Sequence, residues 1–461
     1  MSGMSAPNIL LISIDSLRSD FCSFLNDSER TMDFLDDLAG ESTVFERAIS
    51  PSTWTLPVHA SVFTGLYPFE HGLNDGETIL GDHPTLAEIL VERGYTARSF
   101  THNDWFRTSG MARGFDHEHT RMPGMVQHGF DNLRDGVRDR DSSSITKGTK
   151  QLLEAVPVKA RKAFFRHRLK GARTVTKAIR RLKSDDAPFC HMVHLNDVHH
   201  AYRPHIDYYR KFGEEGLINL HKNVLYQQEL KRKRDGIETG NYDIDEDRLE
   251  LMIDLYRGSI LQVDAQIERL VDSLIETGEY ENTVIVVFGD HGDLLGERGR
   301  FGHGSPICDE LVRVPLLIRD PTGQLEASRR SDPAQLNDLY PTLLKLIGES
   351  PPPTHSLPLQ SDSRDAAFVH YRSGKLNQSS DALDFPESEF PPFKQAAIWK
   401  APDSKLVYYP DEDRYRHDEE MNTDLLPELR AHLENLDPVP ARGEKELSAN
   451  VRSNLKQMGY L

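Results

Sequence analysis

Residues 282–293 read NTVIVVFGDHGD. The first part of this stretch is a run of apolar, mostly β-branched residues, and the second part contains Asp290, His291 and Asp293. Apolar runs of this length are typical of strands that are buried on both faces of a parallel sheet. The stretch therefore predicts a central strand with polar side chains at its carboxyl end.

Two further apolar runs end in polar residues in the same way. They are residues 8–14 (NILLISI), which precede Asp15, and residues 188–195 (PFCHMVHL), which precede Asp197, His199 and His200. In open α/β sheets, ligands bind at the carboxyl ends of the strands. We therefore expect the polar side chains at these strand ends to form one site.

Segments with helical periodicity alternate with the predicted strands. Residues 85–100 read as a helix that stops at Gly94 and is followed by a strand, and residues 248–278 read as one long helix. Residues 311–319 are predicted to form another strand, and residues 338–348 another helix. This alternation predicts an α/β fold, a three-layer sandwich with a mostly parallel central sheet.

The same pattern divides the chain into a main domain and a smaller one. Residues 5–350 contain the alternating elements, and residues 349–364, rich in Pro and Ser, read as a linker. Residues 365–461 are predicted to form a small C-terminal α+β subdomain. Within it, residues 395–411 read as two short strands and residues 426–436 as a closing helix.

The composition is that of a globular protein with an acidic surface. The 461 residues are 38% hydrophobic and 28% charged, with a net charge of −18 and three dispersed cysteines. Sparse cysteines fit a reducing compartment. No run approaches the ~20 apolar residues of a membrane span, and no basic region precedes the first apolar run as it would in a signal peptide. We predict a cytoplasmic protein, and the excess of arginine over lysine favours a halophilic, high-salt cytoplasm.

One segment departs from the acidic composition. Residues 147–183 contain 13 basic residues and one acidic residue, a net charge of +12, with apolar residues between them. The segment reads as part of a basic helical insertion at about residues 135–185. Such a helix can bind a membrane or another anionic surface. Alternatively, it is solvated and pairs with acidic residues elsewhere in the chain. We expect no nucleic acid partner.

The predicted strand ends hold the side chains for a metal site. Asp15, Asp290 and His291 supply carboxylates and an imidazole, which bind divalent cations, and a bound cation lowers the pKa of a ligating hydroxyl. Residues 53–65 (TWTLPVHASVFTG) place Thr55 at the start of a predicted helix. From the residues alone, Thr55 is either a helix-capping residue or a nucleophile. A metal beside a helix start suits group transfer at phosphorus or sulfur.

Seven stretches resemble the sulfatase branch of the alkaline phosphatase superfamily, in the family's order and over roughly residues 8–348. They are NILLISIDSLRSD, TLPVHASVFTGLYPFEHG, TLAEILVERGYTA, HLNDVHHAYRP, GDHGDLLGERGRFGHG, LVRVPLLIR and DLYPTLLKLIG. Each stretch is a weak signal alone, but seven in order are a strong one. The resemblance implies an alkaline-phosphatase-like sandwich with a sulfatase-like domain at residues 5–350.

The nucleophile motif of that family has the form C/S-x-P-x-R. TLPVH aligns Thr55 with the nucleophile, Pro57 with the proline and His59 with the arginine. The resemblance therefore implies that Thr55 is the nucleophile. Sulfatases oxidise the Cys or Ser to formylglycine, and a threonine without the motif's arginine does not fit that conversion. Superfamily members with a threonine nucleophile act on phosphate esters.

The resemblance also implies a metal centre. Asp15, Thr55, Asp290 and His291 match its ligands, and Ser16 replaces a second acid that often follows the first aspartate. An imidazole at position 291 favours Zn²⁺ or Mn²⁺, with Ca²⁺ or Mg²⁺ as alternatives.

Three histidines join Thr55 as implied catalytic residues: His59, His199 and His303. His199 and His303 could either hold a second metal ion or contact the ester oxygens. His199 is expected to protonate the leaving group.

The sequence thus predicts a metal-dependent hydrolase of sulfatase type. It would cleave sulfuric or, in preference, phosphoric esters through a covalent Thr55 intermediate. One alternative is a transferase that passes a phospho-head group to a glycan or lipid, which an acceptor-dependence assay would reveal. Another is a catalytically inactive anion-binding protein, which a metal titration would test.

Overall fold

The computed structural model describes residues 6–74, 78–119, 170–186, 188–213, 226–227, 229–230, 245–361, 363–372, 394–401, 403–416, 421–444, 448 and 451–452. Within these residues the chain forms a nine-stranded central sheet and a four-stranded sheet near the C-terminus. Two pairs of two-residue strands complete the β-structure of this part of the chain: Thr78–Ile79 with Gly443–Glu444, and Leu294–Leu295 with Phe301–Gly302.

The central sheet has the predicted strands at its middle. Its members are β1 (Asn8–Ile14), β2 (Thr43–Ile49), β3 (Thr96–Thr101), β4 (Asp116–His119), β5 (Phe189–Leu195), β6 (Thr283–Gly289), β7 (Arg313–Val314), β8 (Leu316–Arg319) and β9 (Ser328–Gln335). The order across the sheet is β7-β2-β8-β6-β1-β5-β3-β4, with β9 paired to β2. β1 lies between β6 and β5 and is parallel to both. The three strands that end in polar residues are therefore neighbours.

The sheet is mostly parallel, as predicted, and its antiparallel part corrects one expectation. β8 is antiparallel to β6 and β2, and β7 is antiparallel to β2. Residues 311–319 do not form one continuous strand: they include the end of a short helix and the two strands β7 and β8, separated by Pro315. Because proline has no N–H to donate, it interrupts the ladder. Its carbonyl instead accepts a 3.1 Å hydrogen bond from the N–H of Gly289.

Helices cover both faces of the sheet. They are α1 (Asp33–Ala39), α2 (Thr55–Thr64), α3 (Pro68–His71), α4 (Leu86–Glu92), α5 (Trp105–Thr108), α6 (Lys170–Leu182), α7 (Ile206–Tyr209), α8 (Glu246–Thr277), α9 (Asp309–Val312), α10 (Leu339–Leu346) and α11 (Leu426–Glu434). The predicted helices within 85–100, 248–278 and 338–348 are present as α4, α8 and α10. α8 ends at Gly278, whose φ of +76° is the left-handed conformation that glycine adopts most readily.

Alternate side chains of β1 enter two different cores. Ile9 and Leu11 pack in the core formed with α2, α4 and α10, whereas Leu10 and Ile12 pack in the core formed with α1, α6 and α8. Successive side chains of a strand point to opposite faces of the sheet, so a strand covered on both faces is apolar throughout. The molecule is the expected three-layer α/β sandwich.

The C-terminal residues add a small antiparallel sheet. Its strands are β10 (Ala366–Arg372), β11 (Lys394–Lys400), β12 (Ser404–Tyr409) and β13 (Arg414–Tyr415). β11, β12 and the closing helix α11 were predicted, whereas β10 was not. The backbone of His370 in β10 bonds to the loop before α2, through a 2.9 Å contact to Pro51 O and a 2.8 Å contact from Ser52 Oγ.

The predicted basic segment lies mostly outside the described residues, which include only residues 170–183 of it. In this part, Lys177 and Arg181 pair with Glu118, and Lys183 pairs with Glu276. These contacts favour the alternative in which the segment pairs with acidic surface. No helix in the described part of the chain has the length and apolar character needed to cross a membrane.

Candidate active site

Three strand ends meet at one edge of the central sheet. Asp15 follows β1, Asn196 follows β5 and Asp290 follows β6. Backbone hydrogen bonds continue the sheet across these positions, from Asp15 N to Leu195 O (2.9 Å) and from Asp290 N to Ile14 O (3.3 Å). The two carboxylates therefore stand at the ends of fully buried strands, which hold them in fixed positions.

The predicted metal ligands converge at this edge. Asp15, Asp290 and His291 each offer a ligand atom, and these atoms lie within 4.8 Å of one another. Thr55 Oγ1 lies 3.3 Å from His291 Nε2 and 3.5 Å from Asp15 Oδ1. All four side chains are fully buried. The structure thus brings together the residues that the sequence comparison selected as metal ligands.

Thr55 is not the N-cap of α2. Trp54 occupies the N-cap position, and Thr55 is the first helical residue. Its hydroxyl faces the carboxylate and imidazole cluster, and capping alone does not explain this threonine.

The donor set fits a divalent cation. Oδ2 of Asp290 is buried and makes no hydrogen bond, which is costly for a carboxylate oxygen unless a cation neutralises it. Two carboxylates, an imidazole and a hydroxyl are hard and borderline ligands that suit several divalent metals. Asp15, Thr55, Asp290 and His291 are therefore the residues that would hold the ion.

The pKa shifts of the clustered side chains reflect their burial and their mutual charges. Burial raises the pKa of Asp15, but the charge of His199 and the hydrogen bonds of neighbouring histidines outweigh it and hold the pKa well below its usual range. Burial raises the pKa of Asp290. Burial lowers the pKa of His291, but the charge of Asp290 and the contact with Asp15 raise it to about 9. At neutral pH the metal-free cluster holds a proton on His291, and metal binding would release it.

A chain of hydrogen bonds lies beneath this cluster. His59 Nδ1 is 2.9 Å from the carbonyl oxygen of Thr55, and His59 Nε2 is 2.8 Å from Ser13 Oγ. A carbonyl can only accept, so Nδ1 carries the proton, and burial keeps the pKa of His59 well below its usual value. Ser13 therefore donates to Nε2 of His59 and accepts from Nδ1 of His194, which is 3.1 Å away.

Both ring nitrogens of His59 have partners in this network. Its Nδ1 donates to the backbone of Thr55, its Nε2 accepts from Ser13, and Asp290 Oδ2 lies 3.8 Å from Nδ1. These contacts suit a residue that positions the backbone of Thr55, and the catalytic role of His59 stays a prediction.

Sequence reasoning missed His194 and Asn196. His194 is in the middle of an apolar run and reads as a core histidine, but its Nε2 lies 3.3 Å from Asp15 Oδ2. Asn196 donates from Nδ2 to the same carboxylate oxygen. The signal that could have found them is the strand alternation, since His194 and Asn196 point to the same side of β5. Asp197, by contrast, faces away and accepts from Gly171 N and Gln262 Nε2.

A second group of side chains adjoins the metal ligands. The ring centroid of His303 lies 4.4 Å from that of His291 and 5.0 Å from that of His199. His303 Nδ1 is 2.8 Å from Asp293 Oδ1. The structure therefore places the predicted His199 and His303 beside the cluster, and it adds Asp293 to the site.

Asp293 is held from the opposite side by Tyr202. The hydroxyl of Tyr202 donates to Asp293 Oδ2 over 2.9 Å. Burial raises the pKa of Asp293, but its bond to His303 lowers it to about 2. Burial and the charge of His291 lower the pKa of His303 below its usual value. The result is a carboxylate that accepts from two partners, one of them an imidazole at the site.

The loop after β6 is packed too tightly for a side chain at Gly292. A Cβ at this position would lie 1.9 Å from the carbonyl oxygen of Glu310. Glycine is required by this close approach of the two backbones. Gly292 thereby fixes the positions of its neighbours. His291 is one of the proposed metal ligands, and Asp293 belongs to the second group of side chains, with His303.

The Sulfatase family model matches residues 7–349. The chain belongs to the Sulfatase family. Members of this family are ester hydrolases that use a divalent metal ion, and the cluster described above is the candidate metal centre.

Individual relatives are distant. The uncharacterized sulfatase YidJ of Escherichia coli is 23% identical over 360 residues, which cover 74% of this chain and 68% of the relative. The multifunctional alkaline phosphatase superfamily protein PehA of Trinickia caryophylli is 25% identical over 409 residues, which cover 76% of this chain and 75% of the relative.

Solved structures share the fold. The phosphonate monoester hydrolase of Agrobacterium radiobacter superposes with a TM-score of 0.64 at 19% identity, covering 98% of this chain and 96% of that one. The structure of BT4656 in complex with its substrate D-glucosamine-2-N,6-O-disulfate superposes with a TM-score of 0.62 at 18% identity, covering 98% of this chain and 98% of that one. At these identities the likeness establishes the architecture alone.

Proposed function

We propose that this protein hydrolyses phosphoric esters, with Thr55 as a covalent nucleophile. The observation that carries the proposal is the position of the Thr55 hydroxyl, 3.3 Å from His291 Nε2 and 3.5 Å from Asp15 Oδ1 at the start of α2. Asp15, Asp290 and His291 would hold a divalent ion beside this hydroxyl, and the ion would supply a lower pKa for the hydroxyl, so that Thr55 could lose its proton to solvent and attack the ester.

Other groups at the site would bind the ester oxygens and protonate the leaving group. The backbone N–H groups at the start of α2 lie beside the nucleophile and suit the binding of equatorial ester oxygens. His199 lies next to the metal ligands, and its Nδ1 is 2.6 Å from the carbonyl oxygen of His200, so it donates there. We assign His199 as the group that protonates the leaving oxygen when the ester bond breaks; it does so from Nε2 of its imidazolium form, which the negative charge of the ester would favour against the burial that lowers the pKa of His199.

Charge favours phosphate over sulfate. A phosphate monoester carries up to two negative charges and a sulfate monoester carries one. His199 and His303 lie beside the proposed metal ligands, and a second cation held by these two histidines would match the additional negative charge of a phosphate ester. An imidazole ligand also favours Zn²⁺ or Mn²⁺ over Ca²⁺.

A substrate panel tests the proposal. The purified protein would be assayed with 4-nitrophenyl phosphate, bis(4-nitrophenyl) phosphate, 4-nitrophenyl phenylphosphonate and 4-nitrophenyl sulfate, each with Zn²⁺, Mn²⁺, Mg²⁺ and Ca²⁺. We expect the highest kcat/KM with a phosphoric ester and Zn²⁺ or Mn²⁺. A kcat/KM on the aryl sulfate that exceeds the value for every phosphorus ester would refute the phosphate assignment.

A further inference from the structure

A cavity of about 230 Å³ lies between helix α3, with the residues that follow it, and one end of the C-terminal sheet. It is lined by Phe69, Gly72, Asn74, Arg372, Lys394 and Asp411. None of these residues belongs to the candidate active site, and the reaction steps above assign them no task. The cavity is smaller than the ~300–1,000 Å³ of sites for drug-sized ligands, so it suits one small molecule.

Two basic residues are paired across the strands that form one wall of the cavity. Arg372, the last residue of β10, is directly opposite Lys394, the first residue of β11. Side chains of such a pair lie on the same face of a sheet, and like charges in these positions repel each other. Asp411 adds one acidic side chain to the lining. An anion bound to Lys394 would reduce the repulsion between the two cations.

The ring of Phe69 holds the ammonium group of Lys394 at the cavity. Nζ of Lys394 lies 4.6 Å from the centroid of this ring, within the range of a cation–π contact. The ring is itself fixed, because it stacks on His370 with centroids 4.3 Å apart and an angle of 12° between the planes. Lys394 is therefore positioned before a ligand arrives, which lowers the entropy cost of binding.

A buried amide at the cavity has an acceptor to offer. Asn74 is 3% exposed, and its Nδ2 donates to the carbonyl oxygen of Pro68 over 3.0 Å. Because a carbonyl can only accept, this bond fixes the orientation of the amide. Oδ1 of Asn74 then has no partner among the described residues. A buried acceptor without a donor is costly, and a hydroxyl group of a ligand would satisfy it.

We propose that this cavity binds a small hydroxylated anion, of the chemical class of the sugar acids. The carboxylate of the ligand would bind Nζ of Lys394, and one of its hydroxyl groups would donate to Oδ1 of Asn74. The carboxylate of Asp411 can accept from a second hydroxyl. The inference is independent of the proposed function, because none of the lining residues is a proposed metal ligand and binding requires no reaction at Thr55.

Saturation-transfer difference NMR with D-glucuronate tests the proposal on the full chain. D-Glucose lacks the anionic group and acetate lacks the hydroxyl groups, so we expect D-glucuronate to bind at least ~10-fold more tightly than either. The titration is made with Zn²⁺ bound and again after chelation. Binding at the cavity should persist in both, since the carboxylate does not depend on the metal centre there.

Variants of the cavity locate the binding. Lys394→Gln removes the cation and should weaken D-glucuronate binding about tenfold or more, whereas Lys394→Arg should retain most of it. Asn74→Ala should weaken the binding of D-glucuronate and leave that of acetate unchanged. Circular dichroism checks the folding of each variant, and the Lys394 variants provide the measurement if Asn74→Ala does not fold.

The matched control is Lys400→Gln. Lys400 is in the same strand as Lys394, but its Nζ pairs with Glu428 over 2.6 Å and it does not line the cavity. Its replacement lowers the net charge by the same amount and should change the affinity for D-glucuronate less than about twofold.

Three results would overturn the proposal: no binding of D-glucuronate to the wild type, binding no tighter than that of acetate, or an equal effect of Lys394→Gln and Lys400→Gln. None of them bears on Thr55, because the hydrolysis of the ester panel is measured separately. Loss of all esterase activity would in turn leave the prediction for this cavity unchanged.

Discussion

The hydroxyl oxygen of Thr55 lies 3.3 Å from Nε2 of His291, although 236 positions separate the two residues in the chain. Thr55 begins helix α2, and His291 follows the carboxyl end of strand β6. The sheet brings the strand end to the helix start, where the backbone N–H groups and the helix dipole favour negative charge. This contact joins the proposed nucleophile to the proposed metal ligands.

Replacing the nucleophile should abolish turnover. Thr55→Ala removes both the attacking oxygen and a metal ligand, so we expect kcat to fall by about three orders of magnitude or more. Thr55→Ser retains the hydroxyl and should keep measurable activity. Steady-state assays on the best ester of the panel, with folding checked by circular dichroism, provide the measurement.

The matched control for this variant is Thr64→Ala. Thr64 is also buried in α2, but its hydroxyl donates only to the helix backbone, at Ala60 O. Its removal should change kcat less than about threefold, because the site is untouched. Near-native turnover by a folded Thr55→Ala variant would show that another group is the nucleophile.

The strand ends were predictable from the sequence because each ended an uninterrupted apolar run. Asp15 and Asp290 directly follow such runs. A carboxylate at the end of a buried strand is costly unless a partner or ligand stabilises it, so it indicates a functional site. The ladder between β1 and β5 was not predictable, since register depends on tertiary pairing. It pairs Ser13 with His194 and so creates the hydrogen-bonded layer beneath the metal ligands.

Two of the strands that the sequence reading missed, β2 and β9, were missed for the same reason. β2 (TVFERAI) and β9 (SRRSDPAQ) contain charged residues, and the pattern of β9 is exposed over its first half. Both lie toward one end of the central sheet, where burial on two faces is incomplete. Apolar periodicity identifies strands at the centre of a sheet and loses them toward its edges.

Metal affinity should increase with pH. The pKa of His291 is about 9 in the metal-free protein, because Asp290 and Asp15 stabilise the imidazolium. A ligand imidazole must be neutral, so binding releases this proton. Below pH 9 the dissociation constant for Zn²⁺ should therefore rise about tenfold for each unit by which the pH falls.

Calorimetric titration in buffers of different ionisation enthalpy measures the released proton directly. The control is His291→Asn, which keeps a ligand atom without a titrating ring, and one proton fewer should be released. Equal proton release by the wild type and the variant would contradict the assignment of the proton to His291.

The hydroxyl of Ser13 should matter for stability as well as for activity. Ser13→Ala leaves Nε2 of His59 without its donor and Nδ1 of His194 without its acceptor, both fully buried. Unsatisfied buried polar groups cost about 1–3 kcal/mol. We expect the free energy of unfolding to fall by about this amount and metal binding to weaken. Ser273→Ala, in the buried face of α8, lacks such partners and should cost less.

The segment that connects the main domain to the C-terminal sheet is fixed by one buried ion pair. Arg364 donates to both carboxylate oxygens of Asp338, just before α10, and its third nitrogen lies 3.2 Å from the hydroxyl of Tyr67. The side chains of Arg364 and Asp338 are 7% and 0% exposed.

Arg364→Ala would leave Asp338 charged, buried and without its partner, which costs about 3–5 kcal/mol. The exposed pair of Arg93 with Glu349 is the matched control, because Arg93→Ala removes an ion pair in water that is worth about 0–1 kcal/mol. Urea unfolding of the two variants should therefore give midpoints that differ clearly, with Arg364→Ala the lower. Equal midpoints would show that the linker contributes little to the fold and that the C-terminal sheet is held by its own contacts.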